Sequence, residues 1–156
     1  MSEPSQPVTP LNPEADSLPM ALLAGLVAAA AGAAAWALVT VLTGWQIGWM
    51  AVGIGFLVGL AVRKFGKGSA PSFQVLGAVL SLLGCLAGNL LAVCIFAGRS
   101  EDVPLMTILA GLTPSLAVSL IVETFSPMDL LFYGLAVYEG YKFARVPDAP
   151  SPVAAV

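Results

Sequence analysis

The chain contains no histidine, and only 10% of its 156 residues are charged. The first absence removes the commonest general base and metal ligand. The second excludes an ordinary water-soluble domain, which carries about 25% charged residues. Six basic residues against nine acidic ones, a net charge of −3, leave no basic patch of the kind nucleic acid requires. There are two cysteines, Cys85 and Cys94, nine positions apart inside an apolar run. That spacing is neither a CxxC nor a zinc pattern, and the pair reads as buried thiols. Paired carboxylates at helical spacing are missing, as is a serine or cysteine beside a plausible base. An enzyme is therefore the last-ranked reading, and no cofactor or metal is expected.

What the sequence does have is apolar length: 58% hydrophobic residues and a mean hydropathy of +0.93. The stretch Trp45–Gly68, WQIGWMAVGIGFLVGLAVRKFGKG, organises the rest. Trp45 and Trp49 suit the headgroup level, Met50 to Val62 carries no charge, and Arg63, Lys64 and Lys67 end the run. Positive loops resist translocation, so the tryptophan end points out and the basic end points into the cytoplasm. Ala51, Gly55 and Gly59 recur every four residues on one helical face. Such faces let helix backbones approach closely in lipid. The face serves packing within the bundle, self-association, or a pore-facing glycine stripe.

Met1–Ser17 is rich in Pro, Ser and Glu and too poor in apolar residues to order itself. It lacks the positive region of a signal peptide, so no cleavage is expected. Residues 18–42 form a first span, long enough at 1.5 Å per residue for a core of about 30 Å. Its small face, Ala24, Ala28, Gly32 and Ala35, is expected to meet Ala51/Gly55/Gly59 of the second span, residues 47–63. The short link between the two makes them antiparallel neighbours. Gly66, Gly68 and Pro71 break the chain before a third span, 73–96. Gly77, Ser81, Gly84 and Gly88 there fall on one continuous small-residue face. Asn89 beside it must be hydrogen-bonded in hydrocarbon, either to fix register or to line a polar path.

Residues 104–125 are apolar enough to suggest another span, but Thr113-Pro114 is a helix-start signal and Ser115, Ser119 and Glu123 form a polar stripe. The pieces on either side of Pro114 are too short to cross, so the segment reads as interfacial or re-entrant. Ser126-Pro127-Met128-Asp129 starts a last span, 127–143, with Asp129 facing the positive end of the helix dipole. Glu139 stands one turn before Lys142, a spacing that allows an ion pair. The alternative for Glu139 is a proton- or ion-handling role. Residues 146–156 read as a second disordered tail.

The expected fold is thus an all-α membrane protein: a four-span helical bundle with an interfacial or re-entrant segment before the last span, and both termini cytoplasmic. The segments GWMAVGIGFLVGLAVR and SPMDLLFYGLAVYEGYKF resemble parts of small bacterial multi-pass inner-membrane proteins of uncharacterised function. The resemblance runs from the first span onward and implies an inner-membrane location and this architecture. It implies no activity and transfers no catalytic residue. Some such proteins carry an added N-terminal zinc-ribbon or repeat module; this chain has a short tail without CxxC.

Two functional readings follow. One is a membrane module in the lipid bilayer that forms a homo-oligomer or binds a partner membrane protein. The other is an oligomeric small-solute or ion channel or transporter, resting on Asn89 and Glu139 as intramembrane polar groups, with Asp129 a further candidate.

Overall fold

A computed structural model describes residues 16–45 and 47–147. The disordered tails expected at the two ends fall almost wholly outside these residues. The described residues form six helices and no strand: α1 (Leu18–Thr43), α2 (Trp49–Gly66), α3 (Pro71–Ser100), α4 (Leu105–Ala110), α5 (Pro114–Thr124) and α6 (Pro127–Phe143).

Local chemistry sets the helix ends. Ser17 caps α1 by accepting from the Met20 N–H, with Pro19 in the first turn. Gly44 closes that helix in the left-handed region at φ 69°, where a residue without Cβ pays no steric cost. Proline opens α3, α5 and α6, where its missing N–H would have no partner anyway. Thr113 caps α5 and Ser126 caps α6, as the helix-start signals predict.

Helices α1, α2 and α3 are each long and apolar enough to cross a membrane. Helix α6 is a fourth, shorter member of the bundle, packed on α2 and α3. Helices α5 and α6 together meet the same length and hydropathy measure but are bent by 110°, so α5 turns away from the line of α6. Among the described helices, α4 and α5 pack their backbones against α3 alone, and neither contains a buried residue.

Two backbone bonds gather one end of the bundle. The Ser17 N–H donates to Gly66 O at 3.0 Å and the Val146 N–H to Gly68 O at 3.1 Å. The start of α1, the end of α2, the start of α3 and the end of α6 therefore lie together, and α6 runs parallel to α2. At the opposite end the Trp49 and Phe132 rings meet edge to face at 5.7 Å.

Where the small-residue faces go differs from the sequence reading. Gly55 and Gly59 do not face α1. A Cβ on Gly55 would strike the Ala136 backbone, and one on Gly59 would meet Phe143 and the Glu139 and Gly140 carbonyls. Ala51 lies fully buried beside Cys85 of α3, whose Sγ is 4.0 Å from Ala51 O. On α1, Gly32 is filled by Ile54 and Gly25 by Leu80 and Val62, while Ala35 is exposed. The face on α3 divides with depth: Gly77 and Ser81 abut Gly140, whereas Gly84 and Gly88 abut Ala29, Ala33 and Trp36 of α1. The cause is a stripe the sequence reading passed over, Ala136, Gly140 and Ala144. It lets α6 slot between Gly55/Gly59 on one side and Gly77/Ser81 on the other, displacing α1 from that position.

Candidate functional site at the α5–α6 bend

Asn89 is 4% exposed, and its amide donates to Thr124 Oγ1 at 3.3 Å. Thr124 in turn donates to Leu120 O at 2.7 Å. The last residue of α5 is thereby tied to the middle of α3. Two residues on, the chain starts α6 with a reciprocal cap. The Met128 N–H donates to Ser126 Oγ at 3.1 Å, and the Ser126 N–H donates to Asp129 Oδ2 at 2.8 Å. Asp129 is itself 6% exposed. Asn89 and Asp129 thus both hold the bend, one by anchoring α5 and the other by nucleating α6.

Glu139 is not part of this cluster. It lies ten residues beyond Asp129, about 15 Å down the helix axis, near the end that gathers the basic loop. Nor does Lys142 pair with it. The Lys142 ammonium sits over the Tyr138 ring at 5.4 Å and over the Phe143 ring at 5.6 Å. Adjacent aromatic faces on α6 offer the cation an electrostatic partner, and Glu139 is half-buried without an ion pair among the described residues.

Three residues that the sequence reading did not select complete the site. Trp36 is fully buried, its ring edge to face with Tyr133 at 6.2 Å, and Tyr133 stacks edge to face with Phe125 at 6.1 Å. Thr40 lies one turn beyond Trp36 on α1 and is 6% exposed. Trp36 Nε1, Thr40 Oγ1 and Tyr133 OH have no hydrogen-bond partner among the described residues. A signal for Trp36 was available: it stands two turns inside the end of an alanine-rich helix, not beyond that end as Trp45 and Trp49 do.

The chemistry of this set is hydrogen bonding. It offers an amide, a carboxylate, three hydroxyls, a phenol and an indole N–H, with the Cys85 thiol also buried. Among the described residues no group of His, Cys, Asp and Glu is placed to hold a metal ion. No family model, no curated protein and no solved structure matches the chain.

The cap makes a direct prediction. Ser126→Ala is expected to lower the stability of the solubilised protein by about 1 kcal/mol, the usual cost of losing an N-cap side chain. The thermal midpoint in mild detergent measures it. An unchanged midpoint would mean that the bend is held by Asn89 and packing alone.

Proposed function

We propose that this protein is a non-enzymatic helical module of the bacterial inner membrane that associates with a second copy of itself or with a partner membrane protein through α4 and α5. The observation that carries this is the contrast between the two parts of the fold. Inside the bundle, the small-residue faces are covered by the chain's own helices. Outside it, the α4–α5 arm buries no residue and exposes Met106, Val118 and Val122 at 77%, 60% and 67%. The polar stripe Ser115, Ser119 and Glu123 is exposed beside them, which gives α5 the two-faced character of a helix at the membrane surface.

The orientation follows from charge. Arg63, Lys64, Lys67, Lys142 and Arg145 lie toward the end where α1 begins and α6 finishes, and Arg99 alone lies at the other. Basic residues beside spans stay in the cytoplasm, which supports a cytoplasmic side for the end where α1 begins and α6 finishes. In the channel reading, Asn89 sits at the bend and Glu139 near the basic end; flux into proteoliposomes is its test.

The association reading is tested by single cysteines at Val118 and Val122, crosslinked in native membranes. A discrete adduct is expected from both, in the form of a dimer or a single larger species. Leu23→Cys, 60% exposed on the outer face of α1, should give none. If the arm positions crosslink no more than Leu23→Cys, the arm faces lipid only and the reading fails.

A further inference from the structure

The three unpartnered donors of the core are not scattered. Helices α1 and α6 run in opposite senses, and Trp36 and Tyr133 touch across the core at a ring separation of 6.2 Å. From that contact, Thr40 lies one turn further along α1, and Asp129 lies one turn back along α6. Both steps lead toward the same, tryptophan-bearing end of the bundle. The polar groups therefore form two layers: Thr40 and Asp129 outside, Trp36 and Tyr133 about 6 Å deeper, one helical turn.

An opening stands above the outer layer. Gly48, Ser126, Met128, Asp129 and Phe132 line a cleft of about 140 Å³ at the bend. That volume holds several waters, each of which takes roughly 30 Å³ in the liquid. Asp129 belongs to both places, lining the cleft while 94% of its surface is covered. Below Tyr133 the way is shut. The α6 face becomes Ala136, Gly140 and Ala144, and these press on Gly55, Gly77 and Ser81 with no room for a Cβ.

The energetics require an acceptor here. A buried donor left unmade keeps the full desolvation penalty of its polar group, and hydrocarbon offers no remedy. Trp36, Thr40 and Tyr133 are 0%, 6% and 5% exposed, so bulk solvent does not reach them directly. Their side chains cannot bond one another as placed. We propose that this core binds a short file of water molecules, admitted through the cleft at the bend, passed by Asp129 and Thr40, and ending on Tyr133 OH and Trp36 Nε1. The inlet is blind: it hydrates half the bundle and does not cross it. It is independent of how the α4–α5 arm associates, since none of its residues lies on that arm.

Two measurements test it. In a background of Cys85→Ala and Cys94→Ala, Thr40→Cys should react with a small membrane-impermeant cationic thiol reagent. The rate should exceed that of Leu38→Cys, two residues away and 58% exposed on the outer face, by about tenfold, because thiolate forms only where water reaches. Equal rates at the two positions would overturn the proposal. The second measurement uses the chain with its own cysteines. Tyr133→Phe should lower the thermal midpoint in detergent, because the hydroxyl holds a bound water. A phenol with no acceptor gives the opposite sign, since deleting an unsatisfied polar group leaves stability unchanged or raises it. That result would also overturn the proposal.

Discussion

Gly55→Leu and Gly140→Leu are expected to abolish recovery of folded, monodisperse protein, whereas Gly53→Leu and Gly134→Leu should leave recovery at the wild-type level. All four are helical glycines in apolar segments, so helix propensity treats them alike, favouring leucine by up to about 1 kcal/mol. Their surroundings differ. A Cβ at Gly53 or Gly134 meets nothing within 4 Å. At Gly55 it meets the backbone of Ala136, and at Gly140 it meets Ser81 and the Gly77 carbonyl. Backbone cannot rotate out of the way as a flexible side chain can. Inserting bulk therefore separates α6 from both neighbours, at or beyond the about 1–3 kcal/mol usual for overpacking. Size-exclusion profiles in mild detergent measure the outcome. Wild-type behaviour of both Gly55→Leu and Gly140→Leu would show that α6 does not occupy the groove between α2 and α3.

A reporter active only in the cytoplasm, fused after Val156, is expected to be fully active, and cysteines at Ser100 and Ser126 should be labelled by an impermeant reagent without opening the membrane. The two outcomes come from one geometry. Ser100 ends α3 and Ser126 starts α6 at the tryptophan end of the bundle, while Val146 is bonded to Gly68 at the other. Were residues 104–125 a fifth crossing, Lys142 and Arg145 would move outside, leaving three basic residues on each side, which the positive-inside bias disfavours. The structure makes that segment two helices of 6 and 11 residues broken at Gly111–Thr113. The longer of the two reaches only about 16 Å at 1.5 Å per residue. A silent reporter, or a Ser126 site labelled only after permeabilisation, would remove the four-span topology.

The parts of this fold that could be read from sequence were those set by neighbours in the chain. Ser126-Pro127-Met128-Asp129 specifies its own helix start, because the cap bonds close within four residues, and the same holds for Thr113-Pro114. The boundaries of α6 follow directly. Pairing of faces was less legible. A stripe such as Gly55/Gly59 says that something approaches closely but not which helix, since any small-residue partner satisfies it. Ala136/Gly140/Ala144 has the same spacing and is readable in retrospect, but the residues between its members, Val137 to Glu139 and Tyr141 to Phe143, are mostly bulky or polar and draw the eye to the aromatic rings. For the candidate site, Asn89 and Asp129 stood out as polar groups in apolar runs. Trp36 and Tyr133 did not, because what distinguishes them is a missing partner, and that is a property of the assembled core. Lys142 went to aromatic faces instead of Glu139 for a related reason: spacing permits an ion pair, and the local rings decide whether it forms.

The seat of α6 has a consequence for biogenesis. Helices leave the insertion machinery in chain order, so α1, α2 and α3 are in the bilayer while the segment that separates Gly55/Gly59 from Gly77/Ser81 is still to be synthesised. Without α6, the Gly55/Gly59 and Gly77/Ser81 faces would lack the helix that covers them in the folded chain. Assembly of the described bundle is thus completed by α6, as a keystone completes an arch. A nascent chain stalled before Pro127 would present an unfinished membrane intermediate for quality-control proteases to recognise, whereas one released after Phe143 would not.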